Sequence, residues 1–288
     1  MNAHTALAAV EARPARPPEQ AEVRGVRYLA RITGALLRTE VQARAAYRAQ
    51  IMIGAFGWVV PLAFMALWRG ASDDGAVGGV TQAQFTTYFA IVLVTTNLSV
   101  GGEIIFGLSD RLHDGRLSAM LLRPFHPVLV PAAEGLAGNL YRLPVLVVAV
   151  PTIILAAGGE TTGRPSDVAL AVVVSVLGVA AASYLSAMVA TVAFWMTKAQ
   201  GVQGLLFGAE WVLGGMISPI ALLPGALPAI LAHQPLWYAC GAPAEIIAGM
   251  GDHSWWLVAE CAAWIVVLHL IFRQVWRRAL RKHEAVGT

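Results

Sequence analysis

The stretch Asp110–Pro124, DRLHDGRLSAMLLRP, lies between two long apolar runs and carries three arginines, two aspartates and a histidine in fifteen residues. The chain around it is 57% hydrophobic and only 13% charged, with a mean hydropathy of +0.64. A water-soluble domain of 288 residues needs a more charged surface than that. Hydrocarbon must therefore solvate much of this chain, and a charged island between apolar runs reads as a loop that leaves the membrane.

Working outward from the island, six segments approach the ~20 apolar residues that cross a bilayer at ~1.5 Å per residue. They are Ile51–Trp68, Phe85–Leu108, Leu140–Ala157, Val168–Met196, Val202–Leu223 and Trp255–Phe272. Cations test the topology. Eight arginines precede the first span, four lie in or beside the second-to-third connection, and Lys198 lies in the fourth-to-fifth turn. Five more cations follow the sixth span, leaving Arg69 and Arg164 alone on the other side. The positive-inside bias predicts six spans with both termini cytoplasmic. Pro224–Ser254 is apolar enough for a seventh, but Pro224, Pro228, Pro235 and Pro243 interrupt it, and an odd count would export the C-terminal cations. It reads as short helices dipping back from the outer face. Residues 1–23 read as a disordered tail, 24–283 as one transmembrane domain and 284–288 as a second tail.

Ahead of the first span, Arg24, Arg27, Arg31 and Arg38 recur at helical spacing on one face, opposite Leu29, Ile32, Leu36 and Leu37. This predicts an amphipathic helix lying among lipid headgroups, either as a plain anchor or as a lever that also touches a cytoplasmic partner. Within the island, Leu117, Met120 and Leu121 form a short apolar face bordered by Asp110, Asp114, Arg116 and Arg123, and Pro124 stops the helix. Such a helix fits a groove on another protein. A solvated loop would account for the arginines but not for that face.

The run Gly115-Arg116-Leu117-x-x-x-Leu121-Leu122-Arg123-Pro124 resembles bacterial ABC-type permease subunits of the type-2 exporter class, in their six-span branch. Ile217–Gly249, ending Pro243-Ala244-Glu245-Ile246-Ile247-Ala248-Gly249, resembles the exit of the fifth span and the extracellular re-entrant segment of that branch. The resemblance runs from about Tyr28 to His283. It implies an all-α integral membrane fold in the bacterial inner membrane, with six transmembrane helices and an N-terminal interfacial helix. It also implies a cytoplasmic coupling helix and an extracellular re-entrant segment. Partners would be a second permease subunit, the same or different, membrane lipid and a separate ABC ATPase, with no nucleic acid. Asp110, Arg111, Asp114, Gly115, Arg116, Leu117, Met120, Leu121, Leu122, Arg123 and Pro124 would couple to that ATPase. Arg24, Arg27, Arg31 and Arg38 would belong to the connecting helix beside it. ATP and magnesium would sit on the partner, in keeping with a chain whose two lysines, Lys198 and Lys282, begin no GK[ST] phosphate loop.

Inside the membrane, Glu210 lies near the middle of the fifth span. It reads as a group on the substrate path or dimer seam, or as one hydrogen-bonded to a neighbouring helix. Gly204 and Gly208 form a GxxxG pattern beside it, suited to close packing within the chain or across a dimer. Two rival functions were weighed. His233, Cys240, Glu245 and His253 match no metalloenzyme spacing, and Asp110 with Asp114 lacks the further aspartates a lipid phosphotransferase would need. A secondary transporter would need more intramembrane acids and a visible inverted repeat.

Overall fold

A computed structural model describes residues 56–123, 125–196 and 200–286, together with positions 31, 34, 35, 38 and 39. Among the described residues there is no β-strand, only an isolated bridge between Val77 and Val80. The helices are α1 (Val59–Ala71, after a 3-10 turn at Phe56–Trp58), α2 (Gln82–Leu98), α3 (Gly101–His113), α4 (Leu117–Leu121) and α5 (Leu129–Ala156). They continue with α6 (Pro165–Thr191), α7 (Gln200–Leu213), α8 (Leu227–Leu231), α9 (Pro235–Ala239), α10 (Gly241–Ala248) and α11 (Trp256–Val286).

Among the described residues, three stretches are long and apolar enough to cross a membrane, Gln82–His113, Pro165–Phe194 and Trp256–Lys282; α5 makes a fourth when its two arms are taken as one span. Local signals set their limits. Thr81 and Gln84 close a capping box at the start of α2, the Thr81 hydroxyl accepting the Gln84 N–H at 3.2 Å and the Gln84 side chain accepting the Thr81 N–H at 3.0 Å. Pro165 opens α6 with Asp167 in its first turn, where a proline loses no hydrogen bond and an acid meets the positive helix end.

The observed helices differ from the expected spans in four places. The second span is interrupted at Ser99–Val100. The Asn139 side-chain amide donates to the Ser99 carbonyl at 2.9 Å, supplying a partner at the break. The third is longer than expected and bends by 46° between Leu140 and Arg142, two residues before Pro144, which has no N–H to give to residue 140. The fifth, expected to reach Leu223, ends at Leu213; Gly214 and Gly215 follow, and a 3-10 turn covers Ile220–Leu222. The last helix, expected to span Trp255–Phe272, runs on to Val286. Ile51 to Ala55, at the start of the first expected span, lie outside the described residues.

α6 is the hub, packing against α3, α7, α9, α10 and α11, while α2 packs against α1, α5 and α10. The proline-rich region contains short helices, as its spacing suggests. α9 and α10 are almost wholly buried between α2 and α6, which is the covering that interrupted backbone requires at membrane depth. Two clusters hold them. Phe85, Tyr88, Phe89 and Val92 meet Ala244 and Ala248; Leu170, Ala171 and Val174 meet Trp237, Tyr238 and Ile246. By contrast, α11 leaves Val266, Val267, Leu270 and Ile271 exposed, a stripe that only hydrocarbon solvates cheaply.

Candidate functional site

The charged island forms the turn between α3 and α5. α3 ends at His113, Gly115 takes a left-handed φ of 71° that a residue with a Cβ adopts only under strain, and the five-residue α4 follows. This turn reverses the chain and orients α4 in a way that differs from the expected face. Leu117 (0% exposed) and Met120 (6%) point inward, with Leu117 in a cluster that includes Ile104, Leu108, Phe272 and Trp276. The outer surface is instead made by Arg116, Ser118, Ala119, Leu121, Leu122 and Arg123, with Leu122 88% exposed.

Arg111 also turns inward. It pairs with Glu134 of α5 and donates to the Gly107 carbonyl at 2.8 Å, binding α3 to α5. Asp114 pairs with Arg116 across the turn, and Asp110 is exposed. Pro124 lies outside the described residues. The expected coupling set therefore divides into a buried group, Arg111, Leu117 and Met120, that holds the tip, and an exposed group available to a partner. The expected apolar face is therefore split: Leu117 and Met120 are covered by the chain's own helices, and Leu121 is left on the outer surface.

Of the pre-span arginines, Arg31 and Arg38 are helical and exposed, and Thr39 donates to the Ala35 carbonyl at 3.0 Å in the helical i to i−4 manner. Arg24 and Arg27 lie outside the described residues.

In α7 the two notable features separate. Gly204 and Gly208 are exposed, and a Cβ built on either would meet nothing within 4 Å. The GxxxG face thus packs on no described part of the chain. Glu210 lies on a different side, in the wall of a cavity of about 170 Å³. Phe207 and Trp211 of α7 line it with Thr95, Thr96 and Ser99 of the interrupted span, Met216, and Leu236, Ala239 and Cys240 of the short-helix region. The carboxylate has no hydrogen bond or ion pair to another described residue, although a Cβ on Gly101, at the start of α3, would sit 3.7 Å from one of its oxygens. An acid at such depth costs about 2.5–3.5 kcal/mol on insertion scales measured for Asp, unless it is paired, protonated or facing water.

The polar residues flanking the break escaped the sequence reading, although Thr95-Thr96-Asn97 followed by Gly101-Gly102 inside an apolar run is a visible irregularity. Glu245 was considered only as a possible metal ligand. It is 3% exposed and accepts the Ile220 N–H at 3.1 Å, capping the 3-10 turn at Ile220–Leu222. The other residues weighed with it go elsewhere. Cys240 lies 3.3 Å from the Thr95 hydroxyl, His233 contacts Glu260 at 2.9 Å, and His253 contacts the Met250 carbonyl at 3.0 Å. Glu260 also accepts from the Tyr238 hydroxyl at 2.6 Å and so ties α9 to α11.

A bundle of long apolar helices, one interrupted in mid-course and another followed by buried short helices, defines a polytopic membrane protein with a hollow inside it that holds one carboxylate. The family model described as "ABC-2 family transporter protein" matches residues 55–287, and the chain belongs to that family. It is a membrane permease of an ABC transporter, and this membership implies association with an ABC ATPase subunit. A search of curated proteins found no match.

Proposed function

We propose that this chain is the transmembrane subunit of an ATP-driven exporter that pairs with a second permease subunit and is driven by a separate ATPase through the α3–α4 tip. Both termini lie in the cytoplasm of a bacterial cell, the tip on the same side, and the short-helix region faces outward. The arginine distribution supports this orientation. The observation that carries the reading is the tip itself: a five-residue helix fixed from below by Leu117, Met120 and the Arg111–Glu134 pair, with Leu121, Leu122 and two arginines outermost. A rigidly mounted apolar point ringed by charge is suited to a groove on a soluble partner and can transmit its movement to α3 and α5.

The second permease subunit would pack along the open Gly204–Gly208 face of α7, where small residues allow two helix backbones to approach. The pre-span helix carrying Arg31 and Arg38 would lie in the headgroup plane beside the ATPase. ATP and magnesium would be held by the ATPase alone. The test is co-purification of the full chain with its cognate ABC ATPase. Capture by the native chain and its loss in Leu122→Asp, with membrane insertion retained, is the expected result; capture undiminished by Leu122→Asp combined with Arg123→Glu would remove the tip from the coupling role.

A further inference from the structure

The cavity beside Glu210 has a neighbour. Thr95 also lines a second hollow of about 240 Å³ between α2, α6 and α10, walled by Ile91, Val94, Leu98, Val172, Val176 and Pro243. The two differ in chemistry. The first gathers a carboxylate, the Thr95 and Thr96 hydroxyls and Ser99 at the point where α2 stops. The second is almost wholly apolar, and Val172 and Val176 are 58% and 63% exposed, so it opens on the face that meets hydrocarbon.

The electrostatics of the first hollow favour one sign of ligand. The hollow lies at the C-terminal end of α2, the negative end of that helix's dipole, the kind of helix end at which broken membrane helices coordinate cations. The N-terminus of α3 lies beside the Glu210 carboxylate and places about half a positive charge there, less than a full counter-charge. No described cationic side chain pairs with it. An anion entering here would meet a carboxylate in a medium that screens poorly, whereas a cation would complete the pair. The volume admits a head of a few heavy atoms, and the apolar hollow behind Thr95 is placed for a tail.

We propose that these two hollows, which share Thr95 in their walls, bind amphiphilic organic cations, the Glu210 carboxylate facing an ammonium head and the Val172–Val176 groove holding the apolar tail. Reading such a ligand as cargo rests on the permease assignment; the binding itself does not.

The test uses the full chain in phosphatidylcholine nanodiscs with radiolabelled dodecyltrimethylammonium. Saturable binding is expected, weakened at least about tenfold by Glu210→Gln. Val172→Trp, at an exposed position, should weaken it as well, and provides the test if Glu210→Gln does not fold. Unlabelled dodecyltrimethylammonium should displace the probe and dodecyl sulfate should not. Equal affinity in a folded Glu210→Gln chain, equal displacement by dodecyl sulfate, or displacement by potassium but not by N-methylglucamine would each overturn the proposal. The last would assign the carboxylate to an inorganic cation. A chain that captures its ATPase yet binds no probe refutes this inference alone; one that binds the probe without capturing the ATPase refutes the docking reading alone.

Discussion

Gly178 of α6 and Tyr238 of α9 are in backbone contact. A Cβ added to Gly178 would lie 2.3 Å from both the carbonyl carbon and oxygen of Tyr238, and 2.5 Å from the Ala239 nitrogen. Neither partner is a side chain that can swing away, so the missing Cβ is what lets the short-helix region seat against the central helix. Gly178→Val should therefore lower stability by about 1–3 kcal/mol through overpacking. Thermal unfolding of the purified chain in detergent would show it as a reduced midpoint. Gly204→Val, where the structure has open space, should leave the isolated chain's midpoint unchanged and act only on subunit pairing. Equal effects at the two glycines would mean that the α6–α9 approach is not as close as it stands.

The tip predicts a contrast between two leucines five residues apart. Leu117 is fully buried and Leu122 is 88% exposed. Leu117→Asp buries a charge among Ile104, Leu108 and Trp276 and should reduce the yield of folded chain. Leu122→Asp should leave the yield and thermal midpoint unchanged while weakening ATPase capture at least about tenfold. Yield by fluorescence-detection chromatography and capture by pull-down separate the two effects. A reversal of this order would mean that α4 presents its other face.

Glu245 predicts a difference between two substitutions. Its side-chain oxygen accepts the Ile220 N–H, and both residues are buried. Glu245→Ala should cost about 1–3 kcal/mol, the usual range for an orphaned buried donor. Glu245→Gln keeps an acceptor oxygen of the same reach and should lose less than half as much. Thermal midpoints of the two variants beside the native chain provide the check. Matching losses would show that the stabilisation needs the second carboxylate oxygen or its charge, and not the single bond to Ile220.

How much of this architecture was legible beforehand varies with the physical signal. Span positions in α2–α3 and α6, and the short helices beyond Pro224, follow from hydropathy and proline spacing, both local properties of the chain. The interruption at Ser99–Val100 was less visible, because Ser99, Val100 and Gly101 are each tolerated in membrane helices. It depends on Asn139, forty residues away, reaching the Ser99 carbonyl. The face of α4 failed for the same reason. Periodicity puts Leu117, Met120 and Leu121 near one side, but which of them the protein covers depends on Phe272 and Trp276 of the last helix, which cluster with Leu117 and leave Leu121 exposed. Glu210 was recognised as a costly residue. Its cavity was not, since that needs α2, α7 and α9 to converge.

His126, in the connection between α4 and α5, carries the pH dependence. Its ring lies 4.5 Å from that of Trp276 and 5.4 Å from that of Phe272, between centroids, and its Nδ1 accepts the Val128 N–H at 3.3 Å, which requires that nitrogen to be unprotonated. Burial pushes its pKa down from 6.5 to about 4, and the neighbouring His269 adds to the shift. The unfolded chain therefore takes up a proton near pH 6.5 that the folded chain resists until about pH 4. Above pH 6.5 both states are neutral here and the residue contributes no pH dependence. Stability should fall as pH drops from 6.5 towards 4, then level off. His126→Phe keeps an aromatic ring against Trp276 and cannot titrate, so its thermal midpoint should fall less than the native chain's between neutral pH and pH 4. Identical decreases in the two proteins over that interval would show that His126 is charged in the folded state, and its placement against Trp276 would have to be abandoned.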